Sequence, residues 1–136
     1  MCIRDSLAAA AREEDIAFVK GGTYVCMEGP QFSSRAESLS YKAAGYDVIG
    51  MTAMPEAGLA RELALCYTTL ALVTDLDAGV EAGEGVTHAA VLEQFAANLP
   101  RLRELLVATV RGLPDQPGDC PCAHVYDDVA PPFELP

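Results

Sequence analysis

The chain has 136 residues, half of them hydrophobic, with a formal net charge of −11 and five cysteines. That size suits one globular unit with a real core. The acidic balance, with no Lys/Arg cluster, argues against nucleic acid and against an anionic membrane surface.

No apolar run approaches the length needed to span a bilayer. Met1–Ser6 lacks the basic segment and apolar core of a signal peptide. An odd number of widely spaced cysteines is not a secreted disulfide framework. The default compartment is the cytoplasm.

Leu7–Arg12 is Ala-rich and predicts a helix that continues into Glu13-Glu14. Ile16-Ala17-Phe18-Val19 predicts a short strand stopped by Gly21-Gly22, and Thr23–Met27 a second one rich in β-formers. Glu28-Gly29-Pro30-Gln31-Phe32 is a loop. Ser34-Arg35-Ala36-Glu37 has the spacing of a capping box, so a helix is expected to about Ala44, with Gly45 as its stop. Asp47–Thr52 predicts a short buried strand. Pro55-Glu56 opens a helix through Leu59, Leu63 and Leu65 into Cys66-Tyr67.

Leu70-Ala71-Leu72-Val73-Thr74-Asp75-Leu76-Asp77 runs apolar up to two carboxylates spaced i, i+2. As a buried strand it would turn Asp75 and Asp77 to one face and Thr74 and Leu76 to the other. A carboxylate pair at a strand's C-terminal edge is where open α/β sheets put ligand chemistry. The alternative is a turn, since Asp and Gly are ordinary turn residues. Gly79 to Gly85 is a loop but no phosphate cradle, because Glu81 and Glu84 would repel the ligand.

Thr87 is placed to cap a long helix from His88, with Val91, Leu92, Phe95 and Leu99 on one stripe and Leu102, Leu105, Leu106 and Val110 extending it. Pro100 predicts a kink, or a restart capped by Asn98. Residues 114–136 read as a mobile or loosely docked tail. Its Cys120-Pro121-Cys122 spaces two thiols one residue apart, too close for a thioredoxin-type motif and with only two ligands for a metal. Strand and helix alternate, so the fold class is α/β, a sheet covered by helices.

Three stretches together carry a family likeness: Gly22 to Ser38, with its Met27-Glu28-Gly29-Pro30-Gln31-Phe32 core; Asp47 to Thr52 with Pro55-Glu56-Ala57; and Glu62 to Tyr67 leading to Thr74-Asp75-Leu76-Asp77. On these residues the chain resembles the purine nucleoside phosphorylase superfamily and, within it, the 5′-methylthioadenosine phosphorylase branch. The likeness runs over roughly residues 10 to 113. It implies a phosphorylase/hydrolase-like α/β fold with a mixed sheet flanked by helices, of which residues 1–113 resemble only the C-terminal half.

Family members bring a Gly-rich phosphate loop and an Arg-His pair in their other half, and neither is found in this sequence. Residues 1–9 look like a non-native or truncated start. The expectation is a partial domain, poorly folded or inactive alone, because half of such a domain exposes a sheet edge.

The reaction this resemblance implies is phosphorolysis of a nucleoside, with inorganic phosphate as co-substrate and no cofactor or metal. Phosphate attacks the anomeric carbon and the purine departs with negative charge. By resemblance Asp75 donates a proton to the purine N7 and is the catalytic acid, while Asp77 holds the 6-amino edge. A carboxyl that keeps its proton near neutrality needs burial or a second carboxylate beside it.

Phe32 would stack near sugar and base, Met51 would lie under the ribose, and Thr52 would offer its hydroxyl to phosphate. Ser33 and Leu76 count with the base-binding residues. Relatives that prefer 6-oxopurines place Glu where Ser33 stands and Asn where Asp75 stands, so adenine-type bases are favoured. His88 replaces the apolar residue usual in methylthioadenosine enzymes and would reach a 5′-hydroxyl, with Val91 lining the same pocket; the plain reading of His88 is a solvent-facing helix start.

By resemblance the assembly is a homotrimer with sites near subunit interfaces. Adenosine or 6-oxopurine phosphorolysis, and a non-catalytic nucleoside-binding or oligomerisation half, stay open as alternatives.

Overall fold

The computed structural model describes residues 2–77, 87–115 and 118–129. In chain order these form α1 (Ile3–Glu13), β1 (Tyr24–Cys26), α2 (Arg35–Ala43), β2 (Val48–Gly50), α3 (Glu56–Glu62), α4 (His88–Arg111) and a 3-10 turn (Pro121–His124). The expected loop at Gly79–Gly85 lies outside the described residues, as do residues 116–117 and 130–136 of the expected tail.

β1 and β2 pair in parallel, with Tyr24 opposite Val48 and Cys26 opposite Gly50. Parallel neighbours require a crossover, and α2 supplies it, giving one β-α-β unit. Asp47 pins the entry to this ladder: its carboxylate accepts from the Thr23 N–H at 2.7 Å, and its own N–H reaches the Thr23 carbonyl at 2.9 Å. Gly50 lies against the end of the Tyr24 ring, which would have to move to admit a Cβ there.

α2 begins as the sequence reads. Ser34 accepts from the Glu37 N–H, and the Glu37 carboxylate accepts from the Ser34 N–H at 2.7 Å. The core lies between the two remaining long helices. Leu105 of α4 is 6% exposed and packs on Ala10 and Ala11 of α1, with Leu7, Ile16 and Ala108 around it. Arg101 on α4 ties the two ends together by donating to the Asp15 carbonyl.

Four expectations are corrected. Ile16–Val19 is not a strand: Asp15 turns left-handed to end α1, Ile16 packs into the core, and Phe18 lies under the Arg12 guanidinium. α3 stops at Glu62, where Ala64 takes a positive φ, rather than running on to Tyr67. Of the kink or restart expected at Pro100, the restart is excluded: α4 passes through as one helix, and Asn98 donates its amide to the Gln94 carbonyl at 2.9 Å. Pro costs an interior helix about 3 kcal/mol, and burial of the downstream Leu105 against α1 offsets that loss.

The fourth correction is Leu70–Asp77. The segment forms no ladder, because β1 and β2 pair only with each other among the described residues. Part of the expected tail is docked, since Cys120 is buried. No described helix is long and apolar enough to cross a membrane.

Candidate active site

One open cleft of about 670 Å³ lies where the β-α-β unit meets the extended segment 69–77. Three elements deliver its walls. The ends of β1 and β2 bring Met27, Met51 and Thr52, and the loop before α2 brings Phe32 and Ser33. The 69–77 segment brings Asp75, Leu76 and Asp77, and the first turn of α4 adds Val91. Its volume falls in the range of small-molecule sites.

Met51 is held close by a glycine. Gly29 has φ +72°, and a Cβ there would meet the Met51 sulfur at 2.9 Å, so the loop lies tight against Met51.

Asp75 and Asp77 reach the cleft by turn geometry rather than by strand alternation. The Asp75 carboxylate accepts from the Asp77 N–H at 2.8 Å and from the Thr74 hydroxyl at 2.8 Å, while Asp77 takes φ +65°. This is an Asx turn, the alternative the sequence left open. The segment finds no strand partner, so side-chain oxygens supply local bonds instead. Asp75 is exposed and Asp77 half-buried. The burial expected around the acid pair is therefore absent from the described residues.

A hydrogen-bond chain fixes Asp77. Buried Ser33 donates its hydroxyl to Asp77 Oδ1 at 2.8 Å, and the buried Ser38 hydroxyl lies 3.2 Å from Ser33 Oγ and 3.1 Å from the Ser34 carbonyl. A neutral donor already spends its proton on one carboxylate oxygen, leaving Oδ2 free to accept from a ligand. Ser38 was not singled out by the sequence. Its signal is weak: a small polar residue one turn after the capping Ser34, on the side that returns to Ser33.

The structure thus gathers Phe32, Ser33, Met51, Thr52, Asp75, Leu76, Asp77 and Val91 around one space. His88 is not among them; it opens α4 as an exposed residue, which matches the plain reading of a helix-start histidine. Phe32 is 43% exposed and Leu76 65% exposed, so both offer open apolar surface rather than core packing.

A second group of reactive side chains sits away from this cleft. Cys66, after α3, lies 3.4 Å from Cys120, sulfur to sulfur. The Cys122 N–H, followed by the Cys66 thiol, holds Cys120 below the usual thiol range, at about 7. The same contact with Cys120 pushes Cys66 up.

Residues 2–111 match the family model described as the phosphorylase superfamily. A purine nucleoside phosphorylase of Streptomyces coelicolor is 53% identical over 98% of this chain and 48% of its own length. An S-methyl-5′-thioadenosine phosphorylase of Bradyrhizobium diazoefficiens is 48% identical over 88% of this chain and 41% of its own length. Among solved structures, the methylthioadenosine phosphorylase of Schistosoma mansoni in complex with adenine superposes with a TM-score of 0.73 at 37% identity, over 80% of this chain and 44% of that one. The chain spans about half the length of the curated relatives it matches.

Proposed function

The chain belongs to the phosphorylase superfamily, and from that membership we propose that it supplies the base-gripping half of a purine nucleoside phosphorylase acting on S-methyl-5′-thioadenosine. Phosphate attacks the anomeric carbon, and adenine leaves with 5-methylthioribose-1-phosphate as the other product. The observation that carries this reading is the Ser33 hydroxyl seated on Asp77 Oδ1 at 2.8 Å. It leaves an acceptor facing a cleft that Phe32 and Met51 also line.

A 6-amino group donates hydrogen bonds, so a carboxylate acceptor suits it; a 6-oxo group would set lone pairs against the same oxygen. The proposed roles follow from that pairing. Asp77 accepts from the 6-amino group, and Asp75 donates to N7 as charge develops on the leaving base. The bound purine itself would strip water from the exposed Asp75. Phe32 offers its face to base and sugar, Met51 and Leu76 border the nucleoside, Val91 lines the 5′ end, and Thr52 donates to phosphate. Phosphate is the co-substrate, and the chemistry calls for no metal or cofactor. A homotrimer in the cytoplasm goes with the same reading, and light scattering of a chain completed to the relatives' length would give three times its mass.

A second reading has its own support. The Streptomyces relative, at 53% identity, is a purine nucleoside phosphorylase by name, which supports the alternative of adenosine or 6-oxopurine nucleoside phosphorolysis. Product analysis separates the two. The completed chain is given phosphate with methylthioadenosine, adenosine or inosine. Adenine released fastest from methylthioadenosine supports the proposal; hypoxanthine from inosine as the best reaction overturns it.

A further inference from the structure

Taken as a motif, Cys120-Pro121-Cys122 offers a metal ion two ligands. The fold adds more from distant parts of the chain. The thiols of Cys2, Cys66 and Cys120 all lie within 4.8 Å of one another, and the closest pair, Cys66 and Cys120, is 3.4 Å apart. Cys122 follows Cys120 by two residues, on the 3-10 turn (Pro121–His124). Cys120 is buried and the other three are half-buried. Cys2 caps α1, Cys66 follows α3, and Cys120 precedes the 3-10 turn, so three separate segments converge on one point.

We propose that these cysteines form a thiolate site for a zinc-type d10 cation, with Cys2, Cys66 and Cys120 as ligands and Cys122 as the fourth. Tetrahedral zinc with sulfur at about 2.3 Å places its ligand sulfurs about 3.8 Å apart. Cys66 and Cys120 stand 3.4 Å apart and the other pairs within 4.8 Å, so small side-chain adjustments bring the thiols to an ion. Thiolates suit zinc, whereas magnesium and calcium take oxygen ligands. Cys26 stands on β1, outside the group, and serves as an internal control.

The site would act as a staple. Binding joins the start of α1, the segment after α3 and the C-terminal stretch, three parts of the chain far apart in sequence. Each thiol that becomes a ligand releases its proton to solvent, and no electron transfer is involved.

The test uses the chain completed to the relatives' length, shown folded by circular dichroism, reduced with a phosphine and stripped of metal. Cobalt(II) is titrated in the absence of oxygen. The expected result is one equivalent bound, with thiolate-to-cobalt charge-transfer absorption that zinc then displaces. Zinc should also raise the thermal transition of the wild-type chain. Alkylation with iodoacetamide read by mass spectrometry locates the ligands without any variant: zinc-loaded protein should label at Cys26 while Cys66 and Cys120 are protected at least tenfold. Cys120→Ser should abolish the charge-transfer band and Cys26→Ser should leave it. The proposal is overturned if the reduced wild-type chain gives no such band, or if Cys66 and Cys120 label at the same rate with and without zinc. A chain that binds no cobalt but closes a Cys66–Cys120 disulfide in air also overturns it.

Discussion

Ser33→Ala removes one contact cleanly. Ser33 Oγ donates to Asp77 Oδ1 at 2.8 Å, a distance normal for a hydroxyl on oxygen. Its own neighbour is not stranded by the change, because the Ser38 hydroxyl already lies 3.1 Å from the Ser34 carbonyl and can turn fully to it. The cost is therefore confined to Asp77. A hydrogen bond to a charged acceptor contributes roughly 1.5–3 kcal/mol when buried. Asp77 is only half-buried, so water recovers part of that, leaving about 1–1.5 kcal/mol.

If Ser33 aims Asp77 at the base while the leaving group develops charge, that energy appears in the barrier. At 1.36 kcal/mol per tenfold in rate, kcat/KM for methylthioadenosine should fall roughly five- to thirteenfold. The assay is adenine release by the chain completed to the relatives' length, with circular dichroism to show the variant is folded. A folded Ser33→Ala protein with unchanged kcat/KM would refute the reasoning.

Other outcomes follow from the scaffold. Leu105→Ala empties the space between α4 and the alanines of α1; a loss of about 2–3 kcal/mol is expected, at the low end for buried leucine because the neighbouring Leu106 and Val107 are exposed and the site can relax. Urea unfolding measures it, and a loss below about 1 kcal/mol would contradict the placement of the core. Ser34→Ala removes the N-cap of α2 and should cost about 1 kcal/mol, read by the same method.

Glu37 in that cap is held below the usual carboxylate range by the Ser34 N–H and then by the Ser34 hydroxyl. Its contribution is complete above pH 4.5, the ordinary value, and is lost as pH falls through the lowered folded value. Glu37→Gln should therefore be less stable than wild type at pH 6, with the gap closing on acidification to pH 3; a gap constant across that range would show the carboxylate is idle.

Local signals were legible wherever the chemistry is local. The capping box at Ser34 and Glu37 and the Thr87 cap of α4 rest on neighbours within a few residues. Leu70–Asp77 was not, because a strand is a property of a pair. The same apolar run reads as strand when a neighbour is assumed, and as an extended segment ending in an Asx turn where no described strand meets it. The Asp75–Asp77 spacing still delivers both acids to the cleft, by the turn rather than the pleat.

Pro100 left a kink or a restart open, and only the restart is excluded, because α4 continues through it to the buried Leu105. The thiol cluster was illegible in principle. Cys2, Cys66 and Cys120 are more than fifty residues apart at each step, and only the tertiary fold brings them within reach. Ser38 likewise mattered through its approach to Ser33, which no spacing rule describes.

The most direct measurement compares two nucleosides that share one sugar and differ only at position 6 of the purine, methylthioadenosine and methylthioinosine, in the completed chain and in its Asp77→Asn variant. The account predicts a large preference for the 6-amino compound that falls at least tenfold in the variant, because the amide can donate where the carboxylate could only accept. An unchanged preference in a folded Asp77→Asn protein would mean that Asp77 does not read the base.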